Sequence, residues 1–167
     1  MKPFNWLLVT WLSTVALNSY ADYEDYGAQY KCDADRSTVS FAAYDEGTSF
    51  NSTVMPGYKV LTTKDHSLDC ATKLGAIRSA VRVLPPGNGM CRAGGSIYIE
   101  EIAVGSKKLV GGQGVDFNFS CPLISDYFVS QLDVKLDARG ATVRRCISDE
   151  RGGQPRRLGC REDSVER

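Results

Sequence analysis

The sequence predicts an all-β fold: a small, disulfide-stabilised antiparallel β-sandwich or barrel, with one or two short helices at most. Three observations lead there. Short runs of alternating apolar and polar residues recur between clusters of Gly, Pro, Asn, Asp and Ser. No long stretch carries the 3.6-residue period of an amphipathic helix. All six cysteines (Cys32, Cys70, Cys91, Cys121, Cys146 and Cys160) lie downstream of an apolar leader, the pattern of a chain bound for an oxidising compartment.

Residues 1–21 read as a secretory signal peptide. Lys2 supplies the positive start, residues 4–17 (FNWLLVTWLSTVAL) form the apolar centre, and Ser19-Tyr20-Ala21 places small residues three and one before a cut. The apolar run falls short of the ~20 residues a membrane span needs, so no membrane insertion is expected after cleavage. The destination is the periplasm or the exterior. Residues 22–147 then read as a single β-rich domain, and residues 148–167 as a charged tail.

The first mature residues, DYEDYGAQY over 22–30, are acidic and tyrosine-rich and are expected to be solvated and partly flexible. From Gln29 onward the two-residue period sets in. Residues 37–44 carry Val39 and Phe41 on one side, and residues 58–62 are β-branched and aromatic after Pro56-Gly57. Residues 76–84 set Ile77, Val81 and Val83 against Arg78 and Arg82, and Pro85-Pro86 ends the run. Residues 96–104 and 107–110 flank Gly105-Ser106, a hairpin signal. The clearest alternation is GVDFNFSC over 114–121, with Val115, Phe117, Phe119 and Cys121 on one face. Leu132, Val134 and Leu136 alternate with Asp133, Lys135 and Asp137 before the turn at 137–140 leads into a second hairpin. Weak helical spacing appears only over 66–74 and 123–131.

Six cysteines allow 15 pairings. The preferred set is sequential, Cys32–Cys70, Cys91–Cys121 and Cys146–Cys160, the last pinning a tail too poor in large apolar residues to order itself. The absence of C-x-x-C spacing argues against a zinc site or a thioredoxin-type pair.

The functional classes narrow mainly by exclusion. Twenty basic and twenty acidic residues leave the chain formally neutral, which argues against nucleic-acid binding. His66 is the single histidine, so a triad base or histidine-rich metal site has one candidate only, and a turn or surface role is expected for it. Glu100 and Glu101 adjoin on a predicted strand and should point to opposite faces. Asp133 and Asp137 look like a solvated strand surface. The glycines at 87–89 and 111–114 lack the companions of a dinucleotide or phosphate loop. Arg144, Arg145, Arg156 and Arg157 are diluted by nearby acids. Asn51 and Asn118 stand in glycosylation sequons. No catalytic residue, metal or cofactor is expected, and the chain reads as a non-enzyme.

What remains is surface shape on a rigid frame. The partner-binding candidates are Pro85, Pro86, Asn88 and Met90 in one loop, and Lys107, Lys108, Leu109 and Gln113 around another.

Tyr30-Lys31-Cys32-Asp33 and Gly95-Ser96-Ile97-Tyr98 resemble the early Y-x-C and the S-G-x-x-Y motif of periplasmic inhibitors of C-type lysozyme, which are small β-barrels. Gly94 stands at the motif serine and no matching tryptophan segment follows, so no inhibitory residue carries over. The leading expectation is a binding protein that blocks a partner enzyme by steric occlusion, either a peptidoglycan-hydrolase inhibitor or an immunity protein against a cell-wall-degrading toxin. The alternatives are an envelope adhesion or carbohydrate-binding module, to which Tyr98 and Tyr127 would contribute; an enzyme using the dispersed carboxylates Glu100, Glu101, Asp133 and Asp137; and a secreted effector.

Overall fold

The computed structural model describes residues 26–45, 54–62, 64–83, 92–109, 113–120, 127–151 and 154–166. In chain order these hold β1 (Tyr26–Asp33), β2 (Thr38–Asp45), β3 (Lys59–Leu61), β4 (Asp65–Ala71), β5 (Gly75–Val83) and β6 (Arg92–Val104). They continue with β7 (Lys107–Leu109), β8 (Gln113–Ser120), β9 (Tyr127–Leu136), β10 (Gly140–Arg151) and β11 (Gln154–Glu166). The described residues contain no helix.

The strands form two antiparallel sheets. The first has six strands in the order β11-β10-β9-β2-β1-β3; the second has five, β4-β5-β6-β7, with β8 also paired to β6. Each sheet turns one face inward. Phe41, Leu132, Val134 and Val143 of the first meet Ile77, Val81, Ile97, Ile99 and Ile102 of the second in one core. The inward residues are those the alternation selects, because successive strand side chains point to opposite faces.

The expected hairpins form. Gly105 adopts φ +60° in the β6–β7 turn, a conformation glycine accepts without steric cost. Asp137 closes the β9–β10 turn by accepting hydrogen bonds from the Arg139 and Gly140 amides at 2.7 and 3.0 Å.

Two expected bridges are present. Cys32 on β1 and Cys70 on β4 tie the sheets together, and Cys146 and Cys160 face each other across β10 and β11. Cys91 and Cys121 lie outside the described residues. Beside the first bridge, Lys73 meets the β1–β2 turn twice: its amide donates to the Ala34 carbonyl at 3.3 Å and its ammonium pairs with Asp35 at 2.7 Å.

Four expectations are corrected. The 66–74 window is mostly β4, where His66, Leu68 and Cys70 turn inward and the exposed Ser67 and Asp69 turn outward; pairing to β5 overrides a weak local helical signal. The 123–131 window runs into β9. The acidic start is strand from Tyr26, with Ala28, Gln29 and Tyr30 buried. The supposedly irregular tail forms the 13-residue β11. Its ladder to β10 and the Cys146–Cys160 bridge supply the order that burial does not.

Irregular pairing also matters. Arg78 lies opposite Glu101 and Ser79 opposite Ile99, so Glu100 is extruded as a β-bulge. The bulge resets the phase, keeping Ile97 and Ile99 inward before it and Ile102 and Val104 inward after it.

Candidate functional site

The outer face of the first sheet is built from two rows that run across its strands. One row reads Lys31, Ser40, Asp133, Arg144, Glu162, and the next reads Asp33, Thr38, Lys135, Thr142, Ser164. Signs alternate along the charged members, and Asp133, Arg144 and Glu162 set opposite charges on neighbouring strands. All members of these rows except Ser164 line a depression of about 500 Å³ that Arg36 and Tyr58 help to wall.

Most of its charges are already engaged. Arg36 lies 3.8 Å from Asp33. Arg144 lies 3.7 Å from Asp133 and 3.6 Å from Glu162. Asp133 also accepts a hydrogen bond from the Gln131 amide at 2.9 Å. The wall beside β1 is held from below: Gln29, buried on the outward side of β1, accepts the Met55 amide at 2.7 Å, and the Tyr58 amide closes a turn on the Met55 carbonyl at 3.0 Å. That turn lays Gly57 along the Lys31 stem and sets the Lys31 ammonium 5.8 Å from the Tyr58 ring centre.

The outer face of the second sheet differs. Arg82 grips Asp65 with two hydrogen bonds of 2.8 and 3.3 Å, and this guanidinium holds the Asp65 carboxyl below the usual carboxylate range. Arg78 pairs with Asp69 at 3.1 Å and with Glu101 at 3.5 Å. The Lys108 ammonium, 2.7 Å from Glu101, is the main cause of that carboxyl's lowered pKa. Between these groups Tyr98 is 49% exposed, and its row neighbours on β4 and β5 are the small Ser67 and Ala80.

The edge strand carries a further network. Arg145 hydrogen-bonds Asp163, which Arg161 also meets at 3.0 Å; the Arg145 bond is the chief reason that carboxyl is pulled below its ordinary value. Asp149 is buried and bound by Arg156 through two contacts of 3.2 and 3.1 Å. In the core, burial and then the Asp69 charge push the Tyr30 phenol up.

The sequence-predicted site residues scatter. Lys107 and Lys108 are exposed on the β6–β7 hairpin. Leu109, expected to meet a partner, is 5% exposed and packs in the core, because it pairs with Ile102 and takes that residue's inward direction. Pro85, Pro86, Asn88 and Met90 lie outside the described residues, as do the side chains of Gln113 and Tyr127. The expectation that Glu100 and Glu101 face opposite ways is corrected: the bulge leaves neither in the core. Glu101 serves two ion pairs, Asp133 serves Arg144 and Gln131, and Asp137 caps its turn. The His66 Nε2 donates to the Thr62 carbonyl at 2.9 Å. Among the described residues no group of His, Cys, Asp or Glu is placed to hold a metal ion, and no helix is long and apolar enough to cross a membrane.

Sequence reasoning missed the depression. Lys31, Ser40, Asp133 and Arg144 are each readable as outward positions on their strands, but the pairing of β2 with β9 that unites them is long-range. No protein family, curated protein or solved structure matches the chain, so the roles of these residues rest on geometry and chemistry.

Proposed function

We propose that this chain is a periplasmic or secreted binding protein that inhibits a partner enzyme by steric occlusion, the target being a peptidoglycan hydrolase or a cell-wall-degrading toxin. The observation that carries this reading is the β6–β7 hairpin. Its tip, Gly105 to Lys108, is exposed, while its base is anchored by buried Val104 and Leu109, by the Gly105 amide on the Leu74 carbonyl at 2.8 Å, and by Lys108 on Glu101. An exposed tip on a fixed base loses little conformational entropy on entering a cleft. The signal-like leader and two disulfides support the compartment.

The test is titration of the oxidised protein, lacking residues 1–21, into a panel of lysozymes, amidases and peptidoglycan-cleaving toxins acting on insoluble cell wall. Stoichiometric inhibition of one enzyme, relieved by Lys107→Glu, is expected. Undiminished hydrolysis across the panel overturns the proposal.

Tyr98 favours a second reading as a carbohydrate-binding module, because an exposed ring among small neighbours offers a flat stacking surface flanked by hydrogen-bonding charges. Pull-down on purified glycans distinguishes the two: retention lost in Tyr98→Ala supports the module, and equal retention of both forms rejects it.

A further inference from the structure

We propose that the depression on the outer face of the first sheet binds a small, hydroxyl-bearing oxyanion, with its carboxylate or phosphate seated above β2 between Lys31 and Lys135. This site lies apart from the β6–β7 hairpin and does not rest on the inhibitor reading.

The argument begins with charge. Four cations and three carboxylates line the depression, and the carboxylates are occupied: Asp33 by Arg36, and Asp133 and Glu162 by Arg144. Lys31 and Lys135 have no ion pair with any described residue. They flank β2 diagonally, Lys31 opposite Ser40 and Lys135 opposite Thr38. Strands lie about 4.8 Å apart and residues rise about 3.4 Å each, so two strand spacings across and two residues along separate the Lys31 and Lys135 Cα atoms by roughly 12 Å. Two lysine side chains, each reaching about 6 Å from its Cα by ordinary covalent geometry, can span that gap and meet one anionic group over the middle strand.

The floor beneath that point is polar and open. Ser40 carries a hydroxyl with no hydrogen bond to a described residue, and the Thr38 hydroxyl donates to the Arg36 carbonyl at 3.1 Å while retaining acceptor capacity. The Lys31 stem and ammonium lie against Gly57 and the Tyr58 ring, on the β3 side of β1, and no ion pair with a described residue holds them there, so rotation of the side chain brings the ammonium over β2. A mobile ammonium with no counter-charge among the described residues, one strand from a hydroxyl with no partner among them, is a donor set for an oxyanion. The volume, about 500 Å³, exceeds what a bare ion fills and lies within the range of small-molecule sites. Thr142 and the Arg144–Glu162 pair at the far wall supply donors and acceptors for ligand hydroxyls. These features define a sugar acid or sugar phosphate better than an apolar ligand.

The test is a ¹⁵N NMR titration of the oxidised protein with inorganic phosphate, glucuronate and glucose 6-phosphate, with glucose and sodium chloride at matched ionic strength as controls. Saturable shifts centred on Lys31, Ser40 and Lys135 are expected with the anionic probes and not with the controls. The tighter of glucuronate and glucose 6-phosphate identifies a carboxylate or a phosphate as the natural group. Lys31→Gln and Lys135→Gln should each weaken binding about tenfold, the scale of one charge-assisted hydrogen bond. Lys107→Gln with Lys108→Gln should leave it unchanged. The proposal is overturned if the anions shift no more than chloride does, if the shifts centre on Lys107 and Lys108, or if neither glutamine variant weakens binding. Lys135 has an exposed side chain, so its variant decides the matter should loss of Lys31 disturb the wall at Tyr58.

Discussion

Cys32 and Cys70 stand 5.6 Å apart at their Cα atoms, one in each sheet, and their bond is a covalent link across the sandwich. Cys146 and Cys160, by contrast, join neighbouring strands that the β10–β11 ladder already holds together. The loops they close also differ, with sequence separations of 38 and 14. Chain-entropy arguments give about 4 kcal/mol for the longer loop and about 3 kcal/mol for the shorter. Cys32→Ala with Cys70→Ala should therefore lower the urea midpoint more than Cys146→Ala with Cys160→Ala. The reverse order in equilibrium unfolding would show that the hairpin bridge, not the inter-sheet bridge, restricts the unfolded chain more.

Two glycines are required by close backbone approach. A Cβ on Gly75 would stand 1.8 Å from the Ala103 carbonyl oxygen, and one on Gly140 would stand 2.1 Å from that of Val165. Neither neighbour can rotate aside, because both are backbone. Gly75→Ala and Gly140→Ala should each cost about 1–3 kcal/mol or more. Gly159, where an added Cβ meets nothing within 4 Å, should tolerate alanine with a change inside about 1 kcal/mol in either direction. Thermal unfolding of the three variants separates these cases. Equal effects at all three positions would mean that the sheets shift to absorb the clash.

Much of the architecture is legible in the sequence because it is local. Val39 and Phe41, Ile77 with Val81 and Val83, and Leu132, Val134 and Leu136 mark their own inward faces, and Gly105-Ser106 marks its turn. The phase break at Glu100 leaves a trace in the spacing of Ile97, Ile99, Ile102 and Val104, yet only the pairing to β5 reveals which residue is extruded. β11 is illegible for a different reason. Its order comes from a backbone ladder and a disulfide, while its side chains read as a solvated tail. The depression is illegible because it depends on Ala42 meeting Gln131 and Thr38 meeting Lys135, a contact between segments far apart in the chain that no periodicity encodes.

A third bridge should complete the frame. The β6–β8 ladder runs to Arg92 opposite Ser120, and the next residues in sequence beyond that pair are Cys91 and Cys121. An antiparallel register advances along one strand as it retreats along the other, so a register continued by one step would oppose these two cysteines. Proteolysis of the unreduced protein followed by mass spectrometry should give three linked peptide pairs, 32–70, 91–121 and 146–160. A peptide carrying Cys91 or Cys121 as a free thiol, or linked elsewhere, would refute the extension of the register.

Acid should weaken the fold through three carboxylates. Asp65, Glu101 and Asp163 have pKa values lowered in the folded chain chiefly by hydrogen bonds from Arg82, Lys108 and Arg145 respectively. A carboxyl whose folded pKa is depressed binds fewer protons folded than unfolded, so its contribution raises stability as pH rises. That contribution is complete above the ordinary unfolded values, about 4, and is lost as pH falls through the depressed folded values. Urea midpoints should therefore change little between pH 7 and pH 5 on account of these groups and fall below about pH 4. Because the pairs lie at the surface, the acid limb should be shallower in high salt, where such interactions are screened. Glu101→Gln should flatten part of that limb while leaving the slope near neutrality alone. A midpoint that instead falls steeply between pH 7 and pH 6 would refute control by these three carboxylates.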